Sequence, residues 1–171
     1  MIEPATETDE AAIAAQLGRA PRSIAGVAWR CPCGQPGVVA TLPRLPSGDP
    51  FPTTYYLTCP RATSACSTLE SQGVMREMAD RLGSDEELRA AYGAAHDAYL
   101  ADRRAISGGE EVPEIDGVSA GGMPDRVKCL HSLVGHALAA GRGVNPLGDE
   151  ALDRIGPFWE RPCLDPTRSE P

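Results

Sequence analysis

Hydrophobic and polar positions change their spacing along the chain, with strand-like runs in the first third and helical periods after them. In residues 9–17, Ala, Ile and Leu recur at helical spacing between Thr8, a candidate N-cap, and Gly18, a candidate stop. Three short runs rich in β-branched and aromatic residues follow, separated by Pro- and Gly-rich connectors, and they predict strands. These runs are residues 26–30, 37–42 and 53–59. The pattern therefore predicts one short helix followed by a small antiparallel sheet.

A hairpin of two helices is predicted after the sheet. Residues 64–82 carry apolar side chains in helical register, and Ser67 with Glu70 has the spacing of a capping box. Residues 84–106 begin with a second capping box and keep one apolar stripe, while basic residues gather at the far end, where the helix dipole favours them. Because only a short turn separates the two helices, we expect them to pack antiparallel.

A further long helix is predicted for residues 124–140. Pro124 takes the favoured first-turn position and Gly141 provides the stop. Before this helix, residues 107–122 are rich in Gly and acidic residues without periodicity, which is typical of a mobile loop. After it, an Asn-Pro turn leads to a short helix near residues 148–155.

These elements predict a single domain of the α+β class. We expect a small three-stranded antiparallel sheet packed against the helical hairpin and the further long helix. A chain of 171 residues suits one domain with a proper core. The predicted limits are a flexible N-terminus over residues 1–8, the domain over 9–160 and a flexible tail over 161–171.

The charge balance excludes some classes of protein. With 24 acidic and 16 basic residues, the net charge of −8 gives no electrostatic support for nonspecific binding to nucleic acid or anionic lipid. No apolar stretch approaches the roughly 20 residues that span a membrane, and the start of the chain carries no export signal. We therefore expect a cytoplasmic protein with no nucleic-acid partner and no membrane insertion. The sequence contains no heptad array that would specify an oligomeric state.

The six cysteines are the main chemical feature. In a reducing cytoplasm disulfides are disfavoured, so metal binding, reactivity or packing must explain these residues. The sequence CPCG, with Cys31 and Cys33, resembles the glycine-ended cysteine turn of zinc sites, although it has one spacer residue instead of two. Cys59 ends a predicted strand just before a helical segment, where the helix N-terminus and Arg61 favour the thiolate.

Cys129 and His131 lie within the predicted further long helix, where residues two apart point in different directions. A complete site therefore needs ligands from elsewhere, and the turns and strand ends of the sheet supply them. We predict a metal site formed by Cys31, Cys59 and Cys129, with Cys33 or His131 as a further ligand. Zinc and an iron–sulfur cluster both use such residues. Three ligands with an open position would indicate catalysis, and four would indicate a structural site.

The alternative is that the cysteines are only packed. Cys129 would then be a core thiol, His131 a hydrogen-bonded helix histidine, and Cys66 and Cys163 incidental. In that case the protein is a non-enzymatic interaction or regulatory protein that uses the helical hairpin to contact a protein partner.

A second constellation consists of two glycines that lead into Arg126 and Lys128, in the first turns of the predicted helix. Cations are disfavoured at the positive end of a helix unless an anion lies between them, so these residues predict a pocket for a small anionic ligand. If a metal site nearby kept an open position, they would hold that ligand beside it. The alternative is that both cations are solvated or pair with Asp125 and the acidic loop.

Two segments, FPTTYYLTCP and RVKCLH, make the chain resemble the bacterial family known as domain of unknown function 501, over about residues 16–159. The resemblance implies no activity. It implies that the family's recognisable cysteine blocks fall at Cys31, Cys59 and Cys129, with His131 beside the last. The resemblance also implies that the gene tends to neighbour those for a septum-formation initiator and an exopolyphosphatase, as family genes do in high-GC Gram-positive bacteria. The resemblance thereby links the interaction alternative to cell-envelope or polyphosphate physiology.

Overall fold

The computed structural model describes residues 2–158, 161, 163 and 164. Within these residues it contains six α-helices and a three-stranded antiparallel sheet in the order β1-β2-β3, which confirms the predicted α+β class. Most of the predicted tail over 161–171 lies outside the described residues. The elements are α1 (Glu7–Leu17), β1 (Ile24–Arg30), β2 (Pro36–Thr41), β3 (Tyr55–Leu57), α2 (Pro60–Ser71), α3 (Val74–Ser84), α4 (Glu86–Ile106), a 3₁₀ turn (Pro113–Ile115), α5 (Leu130–Ala140) and α6 (Pro146–Ile155).

The central strand β2 is buried along its whole length, because β1 and β3 flank it and helices cover the sheet. Its register pairs Val39 with Val27 on one side and with Tyr56 on the other. Helix α5 packs across β3 at Gly135, where a Cβ atom would lie 3.1 Å from the Tyr55 carbonyl oxygen. The N-terminal segment joins the sheet as well, since Glu3 and Val27 exchange two backbone hydrogen bonds of 2.8 and 2.9 Å.

The region predicted as one helix over 64–82 forms two helices. Gly73 adopts a left-handed conformation with φ 83°, which favours glycine, and the chain changes direction there between α2 and α3. The predicted capping box at Ser67 and Glu70 is wrong, because α2 already begins at Pro60. Ser67 lies inside the helix, and its hydroxyl donates to the Thr63 carbonyl at 3.1 Å.

Helix α5 begins at Leu130, six residues after the predicted start at Pro124. The preceding segment folds back on itself: the Arg126 amide donates to the Gly122 carbonyl at 2.8 Å, and the Lys128 amide donates to the Gly121 carbonyl at 2.7 Å. Both glycines have positive φ, so the backbone turns where helical dihedrals would be needed. Cys129 is therefore the N-cap residue of α5 and not an interior helical residue.

Three other helices begin at caps close to the predicted positions. Thr6, and not Thr8, forms the capping box of α1 with Asp9. Asp85 caps α4 in place of Ser84, and Asn145 caps α6. Short polar side chains compete for these positions within one or two residues of each other, so the sequence locates a helix start only to that precision. Within the described residues, every helix is too short or too polar to cross a bilayer.

Candidate functional site

Three cysteine sulfurs lie together beside the end of β1 and a fourth, that of Cys59, contacts one of them; we call Cys31, Cys33, Cys59 and Cys163 the four-cysteine cluster. The Sγ atoms of Cys31, Cys33 and Cys163 lie within 4.8 Å of one another. Cys163 Sγ is 3.6 Å from Cys33 Sγ and 3.1 Å from Cys59 Sγ. Cys31 and Cys59 are buried, whereas Cys33 and Cys163 are partly exposed. Thiols from three separate parts of the chain are thus brought to one place.

The turn between β1 and β2 positions the first two thiols. The Cys31 amide donates to the Gln35 carbonyl at 3.0 Å, and the Gly34 amide donates to the Cys31 carbonyl at 2.8 Å. Gly34 has φ 86°, a conformation that glycine tolerates best. Because this turn is tight, the two thiols that flank Pro32 reach the same point despite the single spacer residue.

The remaining two thiols come from the segment after β3 and from the segment after α6. Cys59 follows β3 and is the N-cap residue of α2, as the sequence predicts, and its amide donates to the Gly37 carbonyl at 3.3 Å. Cys163 is held next to the β1–β2 turn, where the backbone amide of Leu164 donates to Gln35 Oε1 at 3.4 Å. Gln35 therefore joins the turn to the segment that carries the fourth cysteine.

The protein environment supports ionisation of the thiols in the four-cysteine cluster unequally. Burial raises the pKa of Cys31 to about 11, and the neighbouring Cys33 thiol adds to the effect. Burial also opposes ionisation of Cys33, but hydrogen bonds from the Gln35 backbone and from the Cys31 and Cys163 thiols outweigh it and lower the Cys33 pKa. The cluster therefore favours one thiolate stabilised by its neighbours, and further thiolates need a cation.

A second group of ligand-type atoms lies apart from these thiols, and we call Glu70, Cys129 and His131 the Cys-His-Glu cluster. Its three atoms also lie within 4.8 Å of one another. His131 Nδ1 is 3.1 Å from Glu70 Oε1 and 3.8 Å from Cys129 Sγ. The Leu130 amide donates to Glu70 Oε1 at 2.7 Å, so the carboxylate of α2 is fixed against the first turn of α5.

The pKa values of Cys129 and His131 move in opposite directions. Burial opposes ionisation of Cys129, but hydrogen bonds from His131 and Ser132 outweigh it and lower the Cys129 pKa. The hydrogen bond to Cys129 raises the pKa of His131, burial opposes this, and the Glu70 charge adds to the increase. Both shifts favour a thiolate at Cys129 beside an imidazolium at His131. The nearby Cys66 differs, because burial raises its pKa to about 12 and keeps it a neutral core thiol.

The Cys-His-Glu cluster opens into a cleft of about 600 Å³. Cys129 and His131 line this cleft together with hydroxyl side chains of α2 and α5, the end of α1, and β3 with its flanking residues. Arg126 and Lys128, the predicted anion-binding residues, do not line this cleft in the described part of the chain. They lie in the segment before α5 and not in its first turns.

The structure thus divides the predicted ligand set between two clusters. Of the predicted ligands Cys31, Cys59 and Cys129, with Cys33 or His131, it places Cys31 and Cys33 around Cys163, which Cys59 also contacts, and it places Cys129 and His131 with Glu70. Two participants are not predicted from the sequence, where Glu70 has the spacing of a helix cap and Cys163 is incidental.

One sequence feature could have indicated Cys163. Every member of the four-cysteine cluster is next to a proline in the sequence, in the segments CPC, CP and PC, whereas Cys66 and Cys129 are not. Proline restricts the backbone on both sides of itself, which suits a thiol that must be held in a turn. No comparable local signal marks Glu70, because its partners are about 60 residues away.

Comparisons with other proteins support the assignment to a family. No curated protein and no solved structure matches the chain. The matched family region includes the first three thiols of the four-cysteine cluster and the whole Cys-His-Glu cluster, and it ends before Cys163. Residues 27–153, well over half of the chain, match the family model described as Protein of unknown function (DUF501), and the chain belongs to this family.

Proposed function

We propose that the protein binds a single metal ion, zinc in the first place, through Cys31, Cys33, Cys59 and Cys163. The observation that supports the proposal is that Cys163 Sγ lies within 4.8 Å of the Cys31 and Cys33 sulfurs and 3.1 Å from Cys59 Sγ, so it joins thiols from three separate parts of the chain. Such a site would be structural, because four protein ligands leave no open position on a tetrahedral ion. It would fasten the segment after α6 to the β1–β2 turn.

Two of the sulfur separations, both to Cys163, suit a mononuclear site. Sulfurs bound to one tetrahedral zinc ion at about 2.3 Å lie about 3.8 Å from each other. Cys33 and Cys163 are 3.6 Å apart, and Cys59 and Cys163 are 3.1 Å apart. Both separations are far longer than a disulfide bond of about 2.05 Å. In a four-iron cluster each cysteine binds a different iron and the sulfurs stand further apart, so these two separations favour a single ion over a [4Fe–4S] cluster.

An ion that binds at this site must displace at least one thiol proton at neutral pH. Burial raises the pKa of Cys31 to about 11, and the thiols of Cys33 and Cys59 beside it raise this pKa further. Cys31 therefore stays protonated at neutral pH unless a positive charge compensates for burial and for its neighbours. A divalent ion supplies that charge and displaces the thiol protons.

Metal analysis of the full-length protein tests the proposal. We expect zinc bound by the wild-type protein to decrease by one equivalent in both Cys31→Ser and Cys163→Ser variants. Cys66→Ala is the matched control, because it removes a buried thiol that belongs to neither cluster and should leave the metal content unchanged. Iron with a visible chromophore would instead indicate an iron site at the same thiols.

Two results would contradict the proposal. One is a folded wild-type protein whose metal content equals that of the Cys31→Ser and Cys163→Ser variants. The other is a Cys59–Cys163 disulfide in protein purified under reducing conditions, which mass mapping after alkylation would detect.

A further inference from the structure

The Cys-His-Glu cluster arranges its three ligand atoms around one point. A single imidazole nitrogen, His131 Nδ1, faces both Cys129 Sγ at 3.8 Å and Glu70 Oε1 at 3.1 Å. On a tetrahedral zinc ion with ordinary bond lengths, a sulfur and a nitrogen lie about 3.6 Å apart, and a nitrogen and an oxygen about 3.3 Å apart. Both observed separations are within a few tenths of an ångström of these values.

This arrangement differs from that of a thiol nucleophile activated by histidine. In a catalytic triad the imidazole bridges its partners, so the nucleophile and the carboxylate contact opposite ring nitrogens. In this protein the thiol and the carboxylate contact the same nitrogen. The other nitrogen, His131 Nε2, is 3.4 Å from Ser67 Oγ. The three groups therefore converge as the ligands of one ion do.

The surroundings orient each of the three groups. The Leu130 amide bonds to the Glu70 carboxylate at 2.7 Å, and the Ser132 hydroxyl is 3.8 Å from Cys129 Sγ. Ser67 occupies the position of the outer partner that metal-bound histidines usually have at their second ring nitrogen. Support of this kind fixes ligand positions before an ion binds.

The cluster is also accessible from one side. The side chains of His131 and Glu70 are 27% and 23% exposed, and Cys129 and His131 line the cleft of about 600 Å³. Three protein ligands beside an open cleft are the arrangement of catalytic zinc sites, in which water or substrate takes the fourth position.

We propose that Cys129, His131 and Glu70 form a second metal centre for a borderline divalent cation such as Zn²⁺, with a fourth coordination position that opens into this cleft. The centre is independent of the four-cysteine cluster, because the two ligand sets share no residue. Its ion would activate a bound water molecule, whereas the four-cysteine site has no position for one.

Metal titration of the chelator-treated, full-length protein tests the second centre. We expect Cys129→Ser, His131→Asn and Glu70→Gln each to weaken one class of zinc binding by at least about a hundredfold, while the class lost in Cys163→Ser remains. Glu70→Gln keeps an oxygen that can accept from the Leu130 amide, so it removes the charge with little change of structure. Ser67→Ala should weaken the same class by roughly tenfold.

The matched control is His96→Asn. His96 also bonds to a serine hydroxyl, at 2.8 Å from Ser119 Oγ, but it lies outside both clusters. This variant should keep both classes of zinc binding.

Cobalt substitution tests the open position. With Co²⁺ bound, azide should shift the visible spectrum of wild-type protein and of Cys163→Ser, and should leave that of Cys129→Ser unchanged.

The second centre is wrong if zinc binding is the same in wild-type and Cys129→Ser proteins. It is also wrong if iodoacetamide alkylates Cys129 equally fast with and without saturating Zn²⁺, because the cluster would then be a thiolate pair without an ion. Loss of metal in Cys163→Ser but not in Cys129→Ser would leave the four-cysteine proposal intact.

Discussion

His136 is an ionisable residue at the centre of the core. Its side chain is fully buried, stacks on Tyr55 at a centroid distance of 5.8 Å and meets the edge of Tyr99 at 5.1 Å. The Asn145 side chain lies 3.2 Å from Nδ1, and Nε2 has no hydrogen-bond partner within the described residues. Burial lowers the pKa of His136 to about 4, although the charges of Asp102 and Asp149 oppose this change. The folded protein therefore keeps this imidazole neutral.

We expect the stability of the protein to decrease as the pH falls from about 6.5 to about 4. In this range the unfolded chain binds a proton at His136 that the folded protein excludes, so acid favours unfolding. Moving one pKa from 6.5 to about 4 corresponds to a loss of about 3 kcal/mol. Urea unfolding across this range measures the effect.

The comparison variants are His136→Phe and His96→Gln. His136→Phe should lose most of the pH dependence, and His96→Gln should keep it. Equal pH dependence in wild-type and His136→Phe proteins would show that another group titrates in this range.

Arg103 is a buried cation that holds two loops. Its guanidinium donates to Thr54 Oγ1 at 3.2 Å, to the Ile115 carbonyl at 3.3 Å and to the Pro52 carbonyl, and it lies over the Tyr99 ring. We expect Arg103→Lys to lower the free energy of unfolding by about 2–4 kcal/mol, because lysine cannot place donors on three acceptors at once. Thermal and urea unfolding measure this decrease in the free energy of unfolding. The exposed neighbour Arg104 supplies the control, and a similar loss in Arg104→Lys would contradict this role.

At the scale of elements, the contact between α5 and α6 requires a glycine. A Cβ atom on Gly148 would lie 2.3 Å from the Leu133 carbonyl oxygen and 2.8 Å from Ala137 Cβ. The Asn145 side chain accepts from the Gly148 amide at 2.9 Å, so α6 begins at the point of closest approach. The two helices therefore cannot separate to accommodate a side chain without losing the contact of 3.2 Å between Asn145 and His136 of α5.

We expect Gly148→Ala to destabilise the protein by about 2–4 kcal/mol, because the added methyl group overlaps the backbone of α5. Gly93→Ala is the matched control. Gly93 lies in the middle of α4, and an added methyl group there would meet no atom within 4 Å, so this change should stabilise the protein by up to about 1 kcal/mol. Thermal unfolding distinguishes the two, and a neutral Gly148→Ala would contradict the close packing.

The elements show which features follow from local sequence. Strand composition and the apolar stripe over 84–106 predict β1–β3 and α4 closely, because each depends on residues near in sequence. The predicted start of α5 is wrong, since Pro124 suits a first turn but Gly121 and Gly122 form a backbone turn that periodicity does not reveal. The prediction mixes the two clusters for the same reason. Which residues belong to each cluster depends on which strand end faces which helix, and the error of six residues in the start of α5 changes the direction in which Cys129 points.

At the scale of the whole molecule, the four-cysteine cluster joins parts of the chain that are distant in sequence. Cys33 and Cys163 are 130 residues apart, and Cys59 and Cys163 are 104 apart. Nearly all helices lie between these positions. An ion bound there would hold the two ends of the domain together, so its binding free energy would contribute to the stability of the whole fold.

We expect zinc affinity at the four-cysteine cluster to increase at least tenfold per pH unit between about pH 6 and pH 8, because each thiol proton that the ion displaces contributes a factor of ten. The pKa of Cys31, which burial raises to about 11, places at least this thiol in its protonated form throughout the range. Competition with a chelator at several pH values measures the affinity. Cys66→Ala should follow the wild-type curve, and an affinity independent of pH would contradict thiol ligation.

The position of Cys163 has a consequence for how the protein is made. A ribosome that adds roughly 5–20 residues per second needs on the order of ten seconds to pass from Cys59 to Cys163, given their separation of 104 residues. During that interval the first three thiols have been synthesised without their fourth partner. During this interval oxidants and competing metals therefore have their best access to the three thiols of the nascent chain. This access decreases when Cys163 packs beside Gln35 and completes the cluster.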